Sequence, residues 1–471
     1  SIFQKKGYSM NQNNASEGIP SDEMKLGRPI NLLGATALIV GAVIGMGVYV
    51  FIASIGAQTG TAMWLAFTIA LIITILGIAP LIQMSSAMPR AGVAYVYVSR
   101  LINPLMGAIT SSWAILGVAC TTTYVSMGVA EYIAPYLPWK VPVLIIAICI
   151  PILFFIIYFI GLKLATWLQV LMVAFLVIAL LGYGIIGSAK YGMSFSLTLP
   201  QGIGGLVLAS VLAFTAFFGF QIVAEMGEEM INAKKNIPLS IIIGGLIILV
   251  IYIVVGAAFI GSVPYDFEAI KAMKAPLKDT GEIFLPYVWV ALLSLGAVFA
   301  GLTSINAAAI GIPRELFAQG RDGLLPPFMS RLHQRTRTPL NAVGIYFILV
   351  LILLFLQLHI DVYGVATAVG VLLLTTITAI AAWRLPAKFP DLYEKAYFKI
   401  PKTVLRIIVV FSIISNIGFV ALVLAELPLV GYIYIGWTIV TVVYFYLRVK
   451  WIKKRGFDWE GKIREIPGYD E

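Results

Sequence analysis

The chain has 471 residues, 60% of them apolar and 11% charged, with a formal net charge of +10. Soluble proteins carry roughly 45–50% apolar and about 25% charged residues. This composition therefore excludes an ordinary soluble enzyme, a nucleic-acid-binding protein and a disordered chain. Cys120 and Cys149 both lie in apolar runs, which argues against a disulfide framework.

Crossing a bilayer takes ~20 mostly apolar residues. Residues 1–30 are polar and are expected to form a cytoplasmic N-terminal segment without the apolar core of a signal peptide. About twelve spans are then expected, at 31–56, 62–86, 107–130, 141–160, 165–187, 206–230, 239–263, 284–312, 341–358, 362–383, 404–425 and 429–447, before a polar tail at 448–471. With a cytoplasmic start, this alternation places 27 of the 32 Lys and Arg residues inside, leaving Lys140, Lys190, Lys271, Lys274 and Lys278 outside. Such a bias sets orientation. The positive charge is thus expected to report topology and contact with anionic lipid, with both termini cytoplasmic and no nucleic-acid partner.

Two spans are interrupted. Span 1 holds Gly41, Gly45 and Gly47 within seven residues, and each glycine lowers helix stability by ~1 kcal/mol. Span 6 holds Gly219 within the aromatic run Phe214, Phe217, Phe218 and Phe220. A broken helix survives in lipid only where it lines a cavity or is buried against protein. Breaks at corresponding places in two five-span halves point to a carrier built from inverted repeats, with its site at the midplane. Close helix packing through small residues fits the spacing equally well.

Sorting the acids by the same topology leaves one carboxylate inside a span, Glu225, six residues past Gly219 and so ~9 Å along a helix. Ionisable groups in that position mark pathways or proton relays. Glu225 is expected to line the inner half of the pathway and to titrate, unless the span is already hydrated there beside Glu228 and Glu229.

The stretch Gly41-Ala-Val-Ile-Gly-Met-Gly-Val-Tyr49 resembles the first-span signature of the amino acid–polyamine–organocation superfamily. Met88-Pro-Arg-Ala-Gly-Val-Ala-Tyr95, Glu228-Glu-Met-Ile-Asn-Ala-Lys-Lys-Asn-Ile-Pro238, Arg321-Asp-Gly-Leu-Leu-Pro-Pro-Phe328 and Arg337-Thr-Pro339 follow in that family's order. The resemblance implies an all-α integral membrane protein with a LeuT-like 5+5 inverted repeat, spans 1–5 over 31–187 and spans 6–10 over 206–383. Two peripheral helices at 404–447 and discontinuous spans 1 and 6 complete the implied fold.

It also implies an amino acid site. The amides of Met46 and Gly47 would hold the carboxylate, with Gly45 allowing close approach. The carbonyls of Val43, Phe214 and Phe217 would hold the ammonium, and Phe214 would gate. Apart from the resemblance, Ala119-Cys-Thr-Thr-Thr-Tyr124 is a polar run in the otherwise apolar span 3. One face of it is expected either to line the cavity, with Cys120 and Thr123 as contacts, or to bond neighbouring helices. A coupling sodium would need oxygen from Ala42 or Val43 with Thr303 and Ser304. Span 5 has no lysine near Leu176, where some proton-coupled relatives place one. Small neutral amino acids are the favoured substrate class, because no acidic residue sits at the expected side-chain subsite. A polyamine or cationic amino acid carrier and a non-transporting sensor remain open. No cofactor or accessory subunit is implied. Catalysis is not expected: the only histidines are His333 and His359, no HExxH motif occurs, and a lone Glu225 cannot supply both acid and base.

Overall fold

The computed structural model describes residues 30–134, 137, 141–160, 162–224, 226–273, 275–358, 360–426, 428–454, 459 and 463. Among these the chain is helical, with only two isolated bridges. Nine helices are long and apolar enough to cross a membrane, and Leu340–Leu356 is a shorter apolar helix. Helices stand at each of the twelve expected positions, with span 6 interrupted after Thr215. They run Leu32–Val43 with Met46–Thr59 (span 1), Met63–Ala87 (2), Pro104–Ile133 (3), Val143–Ile160 (4), Leu162–Tyr191 (5) and Gly202–Thr215 with Gln221–Ala224 (6). They continue as Ala233–Ser262 (7), Tyr287–Gly311 (8), Leu340–Leu356 (9), Ile360–Lys388 (10), Lys402–Glu426 (11) and Pro428–Lys454 (12).

Local chemistry sets several ends. Asn31 caps span 1 by accepting the Gly34 amide at 2.9 Å. Asn103 accepts from Met106 at 2.8 Å, and Pro104 takes the first position of span 3, where a missing N–H costs nothing. Spans 1 and 3 are mostly buried, whereas spans 4 and 12 mostly face outward. Their outward residues include Ile145, Ile152 and Ile156 on span 4 and Ile435 and Ile439 on span 12. That is the surface lipid tails require. Span 1 therefore lies at the centre, packed against spans 5, 7 and 8.

The connections that carry most of the arginines gather at one end of the bundle, here the basic end. They include the helices Val93–Leu101 and Pro313–Arg321. At the opposite end, the loop 264–282 folds into Phe267–Lys271 and Pro276–Phe284. The Tyr265 hydroxyl beside them donates to Ala57 O of span 1 at 2.7 Å.

Candidate functional site

Both interruptions are real breaks, and they face each other. In span 1 the helix stops at Val43. Ile44 turns at φ −78°, ψ 68°, and the Gly45 amide donates to Val43 O at 2.8 Å. That is an inverse γ-turn, a three-residue bend that ends the helical register. The helix restarts at Met46 with Gly45 as its N-cap, and no side chain caps it. The first amides of Met46–Thr59 therefore lack helical partners, and the positive end of the helix dipole points toward the break.

In span 6 the helix ends at Thr215 and five turn residues follow. Gly219 has φ +131°, a conformation only glycine adopts without strain. A Cβ there would stand 2.9 Å from Ala42 O and 3.0 Å from Ala42 Cβ, so the break of span 6 lies directly on span 1. The chain resumes as a single turn, Gln221–Ala224, and then extends to bridge Met226 with Ala91. Within the expected span 206–230 the continuous helix thus ends at Thr215, and only the short turns Gln221–Ala224 and Gly227–Glu229 follow it. Gly227 permits this, because a Cβ there would meet Arg90 N at 2.6 Å.

Span 7 joins the two breaks. The Tyr252 hydroxyl lies 3.3 Å from Val43 O and 3.0 Å from Ala216 O. It carries one proton and can donate to only one carbonyl at a time. Its ring packs between Phe67 and Phe217, with centroids 5.0 and 5.1 Å away.

Of the residues expected to contact substrate, Val43, Gly45, Met46, Gly47 and Phe217 are brought to this junction. Gly47 lies against Ala216, its Cβ position 3.3 Å from Ala216 Cα. Gly45 makes room for Ser304 Oγ, 2.6 Å from its Cβ position, so part of its role is to admit span 8. The Phe214 carbonyl already accepts the Phe217 amide at 3.0 Å. The Phe214 ring is half-buried and packs edge-on against Phe218, whereas Phe217 and Phe220 are fully buried.

In span 3, Thr123 Oγ1 donates to Ala119 O of its own helix at 2.8 Å, and Cys120 is buried. Among the described residues no hydrogen bond links either one to the breaks. The oxygen donors expected for sodium are only partly gathered. Ser304 Oγ lies 3.4 Å from Gly41 O and 3.1 Å from Ala300 O, and Thr303 Oγ1 donates to Ala300 O at 2.9 Å. Ala42 O instead faces Gly219. Glu225 lies outside the described residues.

Sequence reasoning missed Tyr252 and Gln169. Each is a large hydrogen-bonding side chain in a mostly apolar span, and that was the available signal. Gln169 Oε1 accepts from Asn306 Nδ2 at 2.9 Å, and Tyr158 donates to Asn306 Oδ1 at 3.0 Å. These bonds lock spans 4, 5 and 8 beside Gly41.

The basic end is tied together by buried charges. Arg314 Nη2 meets both carboxylate oxygens of Glu229, at 2.8 and 2.9 Å, with the side chains 0% and 1% exposed. Arg321 meets Glu228 at 2.9 Å and Arg100 meets Asp322 at 2.5 Å. Glu315 accepts the Ala94 and Tyr95 amides at 2.7 and 2.9 Å and a hydroxyl proton from Ser111. Ile30 N donates to Glu229 O at 3.2 Å, stitching the start of span 1 into this cluster. Burial by itself would raise the Glu228 carboxyl. The charge and hydrogen bond of Arg321, the charge of Arg90 and the Ala91 amide reverse that and hold it below its ordinary value. Burial pushes Glu229 above its ordinary value against the pull of Arg314.

Two spans unwound side by side in a membrane bundle make the peptide-lined junction that transporters use to bind a substrate. Residues 30–446 match the family model described as amino acid permease, and the chain belongs to that family, within the amino acid–polyamine–organocation superfamily. It is 26% identical over 435 residues to the "Branched-chain amino acid permease BcaP" of Bacillus subtilis, covering 86% of this chain and 91% of that one. It is 30% identical to "Cationic amino acid transporter 3, mitochondrial" of Arabidopsis thaliana, over 73% of this chain and 60% of that one. It is likewise 30% identical to "Cationic amino acid transporter 2, vacuolar" of the same plant, over 78% and 61%. The chain spans about three fifths of the length of these two plant relatives.

Proposed function

We propose that the protein carries an amino acid with an uncharged side chain across the cytoplasmic membrane by alternating access. The observation that carries this reading is the junction itself: uncapped amides at Met46 and Gly47 stand next to the Val43 carbonyl and the break of span 6. Amides and the helix dipole suit a carboxylate, and carbonyls suit an ammonium. A zwitterion placed between them stays hydrogen-bonded without water. The relative named as a branched-chain permease covers nearly its whole length and supports a neutral side chain.

The basic end is assigned to the cytoplasm, with both termini, on the positive-inside rule. In this conformation the Glu229–Arg314 and Glu228–Arg321 pairs shut that end. Release to the cytoplasm requires them to part. Phe214 serves as the gate over bound substrate. Coupling runs through protonation of Glu225 or through exchange. A sodium ion would draw on Ser304 and Thr303.

A carrier of cationic amino acids or polyamines is the second reading, favoured by the relatives named as cationic amino acid transporters. Counterflow into proteoliposomes tests both. Labelled leucine or alanine is expected to exchange, whereas lysine and putrescine are not; exchange of lysine or putrescine alone overturns the neutral reading. A ligand that raises the melting temperature without any counterflow identifies a sensor instead. Glu225→Gln is expected to flatten the pH dependence of uptake, and unchanged rate and pH profile would discard Glu225 as the coupling group.

A further inference from the structure

The basic end contains a cleft of about 870 Å³, separate from the junction and touching the ion-pair cluster only at Arg100. Its walls come from the end of the helix Val93–Leu101, the start of span 3, the end of span 10 and the end of span 12. Arg100, Lys388 and Lys453 line it, and among the described lining residues none is Asp or Glu. Leu105, Phe445 and Trp459 make up apolar wall between these charges.

Two features mark the charged mouth as built for an anion. Asn103, Pro104 and Leu105 place at the cleft the N-terminus of a 30-residue helix, whose dipole favours negative charge; Asn103 caps Met106 and Pro104 has no N–H, which leaves the Leu105 amide to face an anion. Arg100, with a side chain only 3% exposed, uses Nη1 on Asp322 and Ser99, and its buried Nε has no partner among the described residues. Lys388 Nζ sits 3.4 Å from Arg100 O, which brings a second cation to the same point.

The surroundings select the kind of anion. Span 12 exposes Ile435, Ile439, Val443, Tyr446 and Leu447, so the mouth opens beside a lipid-facing surface. Spans 3, 10, 11 and 12 line a second cavity of about 300 Å³ nearer the midplane, walled by Trp113, Leu373, Leu424, Tyr434 and Ile439. The seam between these helices therefore offers a cationic mouth at the interface and a dry pocket further in. A soluble phosphate compound would use the first and leave the second bare.

We propose that this cleft is a site for the phosphate-bearing headgroup of an anionic phospholipid, held by Arg100, Lys388, Lys453 and the N-terminus of span 3. Basic pockets between spans on the cytoplasmic side favour such headgroups. Arg100 is also the partner of Asp322, so headgroup and ion-pair cluster share one guanidinium.

Native mass spectrometry of the detergent-purified full chain tests this, with phosphatidylglycerol, phosphatidylcholine of the same acyl chains, glycerol 3-phosphate and inorganic phosphate as probes. One phosphatidylglycerol is expected to bind at least about tenfold more tightly than phosphatidylcholine. Lys388→Gln with Lys453→Gln, both exposed positions, is expected to remove most of that preference, whereas Lys234→Gln with Lys235→Gln, an equal charge loss elsewhere at the same end, keeps it. Equal binding of the two lipids overturns the proposal in favour of an ordinary annular shell. Equal loss in both double variants reduces it to general surface charge. Comparable binding of either soluble phosphate assigns the cleft to a soluble ligand. A lipid-independent dimer that only the Lys388 and Lys453 variant dissolves assigns it to a second copy of the chain.

Discussion

The junction of the two breaks and the cluster at the basic end solve opposite problems with opposite chemistry. At the junction, among the described residues, polar recognition falls to peptide groups and hydroxyls: Val43 O, Ala216 O, the amides after Gly45, Tyr252 and Ser304. At the basic end it falls to ionised side chains, with Arg314 and Glu229 sealed from solvent. Peptide dipoles bind a zwitterion without carrying net charge that must be neutralised once the substrate leaves. A buried ion pair holds one arrangement firmly, and its two halves can separate only if water enters between them. The first is suited to binding and release, the second to holding an end shut.

The largest test of that contrast is to remove half of a sealed pair. Arg314→Met leaves Glu229 buried without its partner, a loss expected to reach about 3–5 kcal/mol. It should appear as a marked fall in the melting temperature of the detergent-solubilised protein. Replacing both partners, with Glu229→Gln added, should recover much of that loss, because the cost lies in the orphaned charge. If both variants melt alike, the pair is not what closes the basic end.

At the junction the strongest expected effect comes from backbone rather than charge. Gly219→Ala places a Cβ at φ +131°, 2.9 Å from Ala42 O, which neither helix can yield without shifting its break. Strain of this kind costs about 1–3 kcal/mol, and uptake is expected to fall more than the melting temperature suggests. A variant with full uptake would mean that the contact between the two breaks is dispensable.

Next in size is Tyr252→Phe, which keeps the ring packing on Phe67 and Phe217 and deletes only the hydroxyl. The net worth of such a bond is about 0.5–1.5 kcal/mol, so a threefold to tenfold change in uptake is expected, with folding intact. A rise in KM at constant maximal rate would indicate that the hydroxyl orients the Val43 carbonyl for substrate. A change in rate alone would place it in the rocking step.

The pH response separates the two regions again. The Glu228 carboxyl is held below its ordinary value of 4.5 in the folded state. Its contribution to stability is therefore complete above that value and is lost as pH falls through the lowered folded value. Glu228→Gln is expected to lower the melting temperature modestly near pH 7 and to flatten its decline on the acid side. An unchanged acid limb would remove Glu228 as its source.

The sequence made the breaks, the span order and the charge asymmetry legible because each has a local signal: glycines close together, long apolar runs, and arginines in short connections. Gly45 and Gly219 were found this way, and the structure puts both at bends. The single turn Gln221–Ala224 was not legible, because hydropathy continues through 206–230 although the helix does not. Its end is set by Gly227 seating on the Pro89–Arg90 backbone, a contact between residues far apart in sequence. Tyr252 and the Glu229–Arg314 pair were hidden for the same reason. A lone tyrosine in an apolar span, or one acid among several in a loop, shows its partner only once the chain is folded.

The smallest expected effect tests the part of the reading that stands furthest from the observed contacts. Thr123 was singled out because Cys120 to Tyr124 forms a polar run in an apolar span, and such a run either lines a cavity or satisfies itself. Its hydroxyl donates to Ala119 O, one turn back, at 2.8 Å, and its neighbours Thr121 and Thr122 bond to Thr367 and Tyr346 of spans 10 and 9. In this conformation the run ties span 3 to its scaffold neighbours rather than to the breaks. Thr123→Val is nearly isosteric and removes a bond the helix does not need, so uptake is expected to stay within about twofold and stability within about 1 kcal/mol. A loss of tenfold or more with unchanged melting would mean that span 3 turns this face to the substrate in another stage of the cycle. Thr123 would then belong with Phe214 among the groups that meet the ligand only after the bundle has moved.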